Sequence, residues 1–129
     1  MVVAKKLRHF ALAVKDAEAT AAVFQKALGA TVIDRTTMEK EKQYRVSVSV
    51  AGVRINLLQP NGPESAVAKD IARRGEGLHC ICFDVEDLQE TARELKDAGL
   101  RVAVKEGRSY VFIHPQDTAG VMFELHSSE

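Results

Sequence analysis

Four side chains at positions paired by an internal repeat have types able to hold a divalent ion: His9, Asn56, Cys80 and Glu124. Imidazole nitrogen, thiolate and carboxylate are ordinary ligands of Zn²⁺, and three of them leave a position open for water or a substrate oxygen. A thiolate is soft, so the set suits zinc or cobalt better than magnesium. Asn56 offers a weak carbonyl donor and is better suited to hydrogen-bond a bound water. Glu124 stands apart from the others. It lies inside the apolar run "VMFEL", and a carboxylate buried without a partner is costly, so a chemical role is the natural explanation for it. The competing reading makes Cys80 and Cys82 small buried hydrophobes, the commonest role of free cysteine, and leaves the site free of metal.

An internal repeat selects these four positions. "HFALAVKDAEATAAVFQKA" (9–27) lies over "CICFDVEDLQETARELKDA" (80–98) at one constant offset, and "AGVRINL" (51–57) lies over "AGVMFEL" (119–125). The superposition pairs His9 with Cys80 and Asn56 with Glu124. Each copy predicts a strand, a helix and three more strands. In the first copy, strand 7–14 leads to a helix capped by Asp16, with Ala17, Ala21, Phe24 and Leu28 at helical spacing and Gly29 as its stop. Strands 30–36, 43–50 and 53–59 follow. In the second copy, strand 78–85 leads to a helix capped by Asp87, with Leu88, Ala92 and Leu95 inside and Gly99 at its end. Strands 100–105, 109–114 and 120–126 complete it. The linker "QPNGPESAVAKDIARRGEG" predicts a short helix over 64–73. The result is βαβββ twice, an α+β fold with the helices on one face of each sheet. It is read as one domain over 1–129, with module one at 5–60, the linker at 61–75 and module two at 76–127.

Strand alternation then assigns faces. Phe10, Leu12 and Val14 should cover the first helix, turning His9 the other way. Ile81, Phe83 and Val85 should cover the second helix, turning Cys80, Cys82 and Asp84 away. Val121, Phe123 and Leu125 oppose Met122, Glu124 and His126, and Val53, Ile55 and Leu57 oppose Arg54 and Asn56. His79 falls on the helix side as a hydrogen-bonded structural histidine. His114, before Pro115, should fix a turn; His126, near the C-terminus on the face of Glu124, should be exposed, with reach to the site as the alternative.

Composition excludes several partners. With 129 residues, 18 basic against 18 acidic side chains and 46% apolar residues, the chain has neither the charge of a nucleic-acid binder nor the apolar run of a membrane span. Two cysteines spaced Cys-x-Cys are no disulfide framework. The start "MVVAKKLRHF" lacks the apolar core of a signal peptide, and the expectation is a reduced, cytoplasmic protein.

The stretches "HFALAVKDAEA", "INLLQPNGPESAVAKDIARRGEGLHCICFDVEDL" and "FIHPQDTAGVMFELH" resemble the vicinal oxygen chelate (glyoxalase/bleomycin resistance/dioxygenase) superfamily and, within it, the methylmalonyl-CoA epimerases. The resemblance implies paired βαβββ modules forming a curled mixed sheet around a metal-site cleft. It implies metal ligands at His9, Asn56, Cys80 and Glu124, and proton transfer by two glutamates, Glu124 and Glu41, with Glu39 the alternative to Glu41. The implied reaction is epimerisation or isomerisation by removal of a proton α to a carbonyl or thioester, on an acyl-CoA such as methylmalonyl-CoA. Glyoxalase-type lyase chemistry on a glutathione hemithioacetal, and non-catalytic binding of a small ligand, are the alternatives. A homodimer is the implied assembly.

Three features depart from the family pattern. His79–Cys80 replaces adjacent histidines, Asn56 is shorter than the usual glutamine or glutamate, and the loop near Gly107 is shortened. Ser65 at the linker helix start could meet a substrate carboxylate. Arg45, Arg54 and the Lys69, Arg73 and Arg74 group could meet the phosphates of coenzyme A, although a surface cation is the more ordinary role for each.

Overall fold

The computed structural model describes residues 1–104 and 109–128; Gly107 and its loop lie outside the described residues. The chain groups into two compact units, His9–His79 and Met1–Arg8 with Cys80–Glu129. The linker helix therefore belongs with the first βαβββ copy, while the N-terminal segment groups with the second.

The unit His9–His79 holds most of β1 (Lys6–Ala13), then α1 (Ala17–Leu28), β2 (Thr31–Met38), β3 (Gln43–Val50), β4 (Val53–Pro60), α2 (Ala66–Arg74) and the start of β5 (Gly77–Val85). Its strands run in the order β2-β3-β4-β1, with β1 parallel to β4 and the other pairs antiparallel. The other unit holds the rest of β5, then α3 (Leu88–Asp97), β6 (Val102–Val104), β7 (Tyr110–Ile113), a 3-10 turn at Pro115–Asp117 and β8 (Met122–Ser127). Its strands run β5-β8-β7-β6, again with one parallel pair, β5 with β8. Counted within each copy, the two orders are identical, so the sequence repeat is a repeat of topology.

Local chemistry sets the helix limits. The Asp16 side chain accepts from Ala19 N at 3.0 Å and the Asp87 side chain from Glu90 N at 3.0 Å, each satisfying an amide that the helix leaves unpaired. Gly29 ends α1 at φ +64, a left-handed conformation that costs glycine little. Both copies enter their last strand through Ala-Gly with positive φ, Ala51–Gly52 at 50 and 80 and Ala119–Gly120 at 59 and 83. In the first copy this is the two-residue link of the β3–β4 hairpin, where positive φ at both residues matches the strand twist.

The two cores follow the predicted faces, except that Leu28, in the last turn of α1, is exposed. Ala17 and Ala21 of α1 are small enough to lie close to the sheet, and they pack with Val14, Val46, Val48 and Leu57, with Leu12 and Ile55 alongside. Around α3 the cluster is Val85, Ala92, Val111, Ile113 and Leu125, joined by Phe83 and Phe123. Among the described residues, the element limits fall within two residues of those predicted, β6 (Val102–Val104) included.

Candidate functional site

Glu124 is the centre of a compact cluster in the unit that contains β5 and β8. In the parallel β5–β8 register Cys82 stands opposite Glu124, and across the antiparallel pair Phe112 does the same. The carboxylate is partnered on both oxygens. Cys80 Sγ donates to Oε2 at 3.7 Å, and the Nε2 of His126 contacts Oε1. Side-chain exposure is 15% for both Glu124 and His126, so the pair is half-enclosed yet within reach of a ligand. The His126 ring stacks on Tyr110 with centroids 5.0 Å apart. Cys82 is fully buried. Burial, and next the neighbouring Glu124 charge, push its thiol far above the ordinary range, against a smaller opposite effect of Arg8. Arg8 itself donates to Asp84 Oδ1 at 2.7 Å.

Two expectations change here. His126, expected to be exposed, is a partner of the central carboxylate, because a residue two positions along a strand returns to the same face and Tyr110 opposite covers the ring. Cys82, which the repeat did not select, shares the rung of Glu124, whereas Cys80 stands opposite Met122. Alternation had placed both cysteines on this face. The signal that separates them is the inter-strand register.

His9 and Asn56 lie in the other unit. Ala11, two residues after His9 on β1, is the register partner of Asn56, so His9 and Asn56 share a face, the one opposite α1. Asn56 departs from the ligand role expected of it. Its Oδ1 accepts from Ser47 Oγ at 2.8 Å and from Arg54 Nε at 3.1 Å. Arginine cannot accept a hydrogen bond, so the amide must present oxygen to it, and both lone pairs of the atom that would face an ion are engaged. Glu41 sits in the turn before β3 and is partly buried.

The remaining polar candidates have structural work. His79 Nδ1 lies 3.0 Å from Asp70 Oδ2 on α2, a bonded structural histidine as expected. The His114 side chain accepts from Gln116 N at 3.1 Å and caps the 3-10 turn. Ser65 does not await a carboxylate. It is buried, and its Oγ accepts from Ala68 N at 2.9 Å as the cap of α2. Arg73 and Arg74 are both bonded to Asp70.

Comparison with known proteins agrees with this architecture. A family model described as the Glyoxalase/Bleomycin resistance protein/Dioxygenase superfamily matches residues 8–115. The ethylmalonyl-CoA/methylmalonyl-CoA epimerase of Cereibacter sphaeroides is 34% identical over 131 aligned positions, covering 93% of this chain and 96% of that protein. The mitochondrial methylmalonyl-CoA epimerase of Homo sapiens is 30% identical over 130 positions, covering 95% of this chain and 74% of that one. Among solved structures, a variant of Streptomyces coelicolor methylmalonyl-CoA epimerase in complex with 2-nitronate-propionyl-CoA aligns with a TM-score of 0.86 at 28% identity, covering 98% of this chain and 100% of that chain. A methylmalonyl-CoA epimerase in complex with methylmalonyl-CoA and NH4⁺ aligns at 0.84 and 28%, covering 98% and 96%. With the family model spanning most of its length and the strand order repeated in both copies, the chain belongs to the glyoxalase/bleomycin resistance protein/dioxygenase superfamily.

Proposed function

We propose that this chain is an acyl-CoA epimerase, an isomerase that removes the proton α to a thioester carbonyl and returns one to the opposite face. Glu124 carries the reading. It is a carboxylate on a strand face turned from the core, half-enclosed, and oriented by Cys80 and His126 before any substrate arrives. A base held in place in this way is the first requirement for proton abstraction from carbon. Inversion also needs a second proton carrier on the other face, and Glu41 is proposed for it on the family resemblance. Loss of the α proton moves negative charge onto the thioester oxygen, which must be met by positive charge or hydrogen-bond donors. Methylmalonyl-CoA is the proposed substrate. The relatives described above are epimerases of that compound class, which favours this chemistry over that of a glutathione hemithioacetal. The test is proton exchange. Methylmalonyl-CoA incubated with the protein in D₂O, with a divalent ion supplied, should lose its α-proton NMR signal faster than in buffer. A rate equal to buffer at high enzyme concentration would sink the proposal.

A divalent ion is the family's usual companion, and the donors here fit one. A carboxylate with two thiols beside it is a soft set, suited to Zn²⁺ or Co²⁺ rather than Mg²⁺. Glu124 and Cys80 or Cys82 would hold the ion, and bound there it would supply positive charge for the thioester oxygen. Asn56, its oxygen already engaged, is not proposed as a ligand. The expected result is a sulfur-to-metal charge-transfer band on adding Co²⁺, with slowed alkylation of the thiols that chelator reverses. The band should weaken in Cys82→Ser or Cys80→Ser, whichever removes the ligand. Uptake of Co²⁺ with no such band and no shielding would leave both cysteines as packing.

A further inference from the structure

We infer that Arg45 and Arg54 form a subsite for an oxyanion carried by the substrate, either a carboxylate of the acyl group or a phosphate of its carrier. The subsite depends on the acyl-CoA reading only for the identity of that carrier.

Its floor is a polar row across three strands, Asp34 on β2, Ser47 on β3 and Asn56 on β4, joined by the register pairs Asp34↔Ser47 and Ser47↔Asn56. A β-bulge between Val32 and Asp34 puts the aspartate there. Were the register to run unbroken from Val32↔Val48, Asp34 would stand opposite Val46, which is wholly buried in the core against α1. A bulge shifts alternation by one and sends the side chain to the other face. The sheet is therefore modified locally to bring a carboxylate to the face that carries Ser47 and Asn56.

Two guanidiniums gather on this row, and they are held differently. Arg54 is fixed: Nε donates to Asn56 Oδ1 at 3.1 Å, and Nη2 donates to Ser47 Oγ at 3.0 Å and Asp34 Oδ2 at 3.1 Å. Arg45 meets Asp34 once, at the long distance of 3.5 Å. Its Nε is buried with no hydrogen-bond partner among the described residues. Protein covers that atom, so the Nη groups are the part of Arg45 left to a ligand. Charge points the same way, since two cations share one carboxylate and positive charge is in excess. Both side chains remain open to a ligand, at 24% exposure for Arg45 and 33% for Arg54. The two Nη groups of a guanidinium form a planar fork matched to the paired oxygens of a carboxylate or phosphate. An oxyanion taken by Arg45 through its Nη groups would balance the charge, while Asp34 and Arg54 hold the frame.

The test is calorimetric titration of the intact protein with methylmalonyl-CoA, propionyl-CoA and coenzyme A, comparing wild type with Arg45→Gln and Arg45→Lys. Arg45→Gln keeps the Asp34–Arg54 pair and should weaken methylmalonyl-CoA binding by about tenfold or more, the scale of one charge-assisted bond. Arg45→Lys keeps the charge without the fork and should fall between. If the oxyanion is the acyl carboxylate, propionyl-CoA, which lacks it, binds all variants alike. If it is a carrier phosphate, all three ligands weaken together. Should Arg45→Gln fail to fold, Arg45→Lys supplies the comparison. Unchanged affinities across all variants and ligands overturn the subsite. Should wild type bind none of the three, the acyl-CoA reading fails instead. Phenylglyoxal labelling then decides the subsite: malonate or inorganic phosphate should slow modification of Arg45, and protection by neither overturns it.

Discussion

Glu124→Gln should slow α-proton exchange of methylmalonyl-CoA by about a hundredfold or more, the usual weight of a general acid–base group. Glutamine keeps the shape of the side chain and can still contact His126 and Cys80. It cannot take a proton from carbon, and it offers a metal no charge. The loss should fall on kcat rather than on KM, because the acyl-CoA is held elsewhere and the missing interaction is made in the transition state. Melting of the variant should stay close to wild type. If anything it should gain a little, since a half-enclosed carboxylate is costly to desolvate. A variant that exchanges the α proton at the wild-type rate would remove Glu124 from the chemistry and with it the main support for an enzyme.

Asp70→Ala should lower the folding stability by about 2 kcal/mol at neutral pH, the worth of charge-assisted hydrogen bonds after discounting the exposed partners. Asp70 is buried in α2 and accepts from Arg74 Nη2 at 2.7 Å, from Arg74 Nε at 2.9 Å, from Arg73 at 3.0 Å and from His79 Nδ1 at 3.0 Å. The two arginines are largely solvated, at 73% and 43% exposure, so most of the loss should come from the His79 bond, which ties α2 to the start of β5. The pH dependence has a definite sign. Burial alone would raise the Asp70 carboxyl, but the bonds from Arg74, His79 and Arg73 outweigh it and hold it well below the usual carboxylate range. A lowered carboxyl stabilises the fold above its unfolded pKa, about 3.9, and that contribution fades as the pH falls below this value toward the folded pKa. The gap between wild type and Asp70→Ala in urea unfolding should thus be full at pH 6 and narrow below about pH 4. A gap that stays constant down to pH 3 would show that the alanine acts through packing and not through the charge.

What could be read from the chain alone was what is written locally. Aspartates before apolar helical runs and Gly29 after one specify helix starts and a stop through neighbouring atoms, and their dihedral angles follow. Alternation along a single strand likewise put Cys80, Cys82 and Glu124 on faces turned from the helices, and the repeat gave the βαβββ order. The partners of those side chains could not be read in the same way. Whether Cys80 or Cys82 stands beside Glu124 depends on the register of β5 against β8, strands separated by a helix and two other strands. The engagement of Asn56 depends on Ser47 meeting it across a hairpin, with Arg54 reaching it from two residues back on the same strand. The bulge before Asp34 leaves no mark in composition or periodicity, yet it reverses the face of a charged residue. A strand's faces are set by its own backbone, whereas the residue opposite is set by hydrogen bonds to another strand. The sequence by itself therefore determined which side chains were available for chemistry, and only the tertiary structure decided which of them meet.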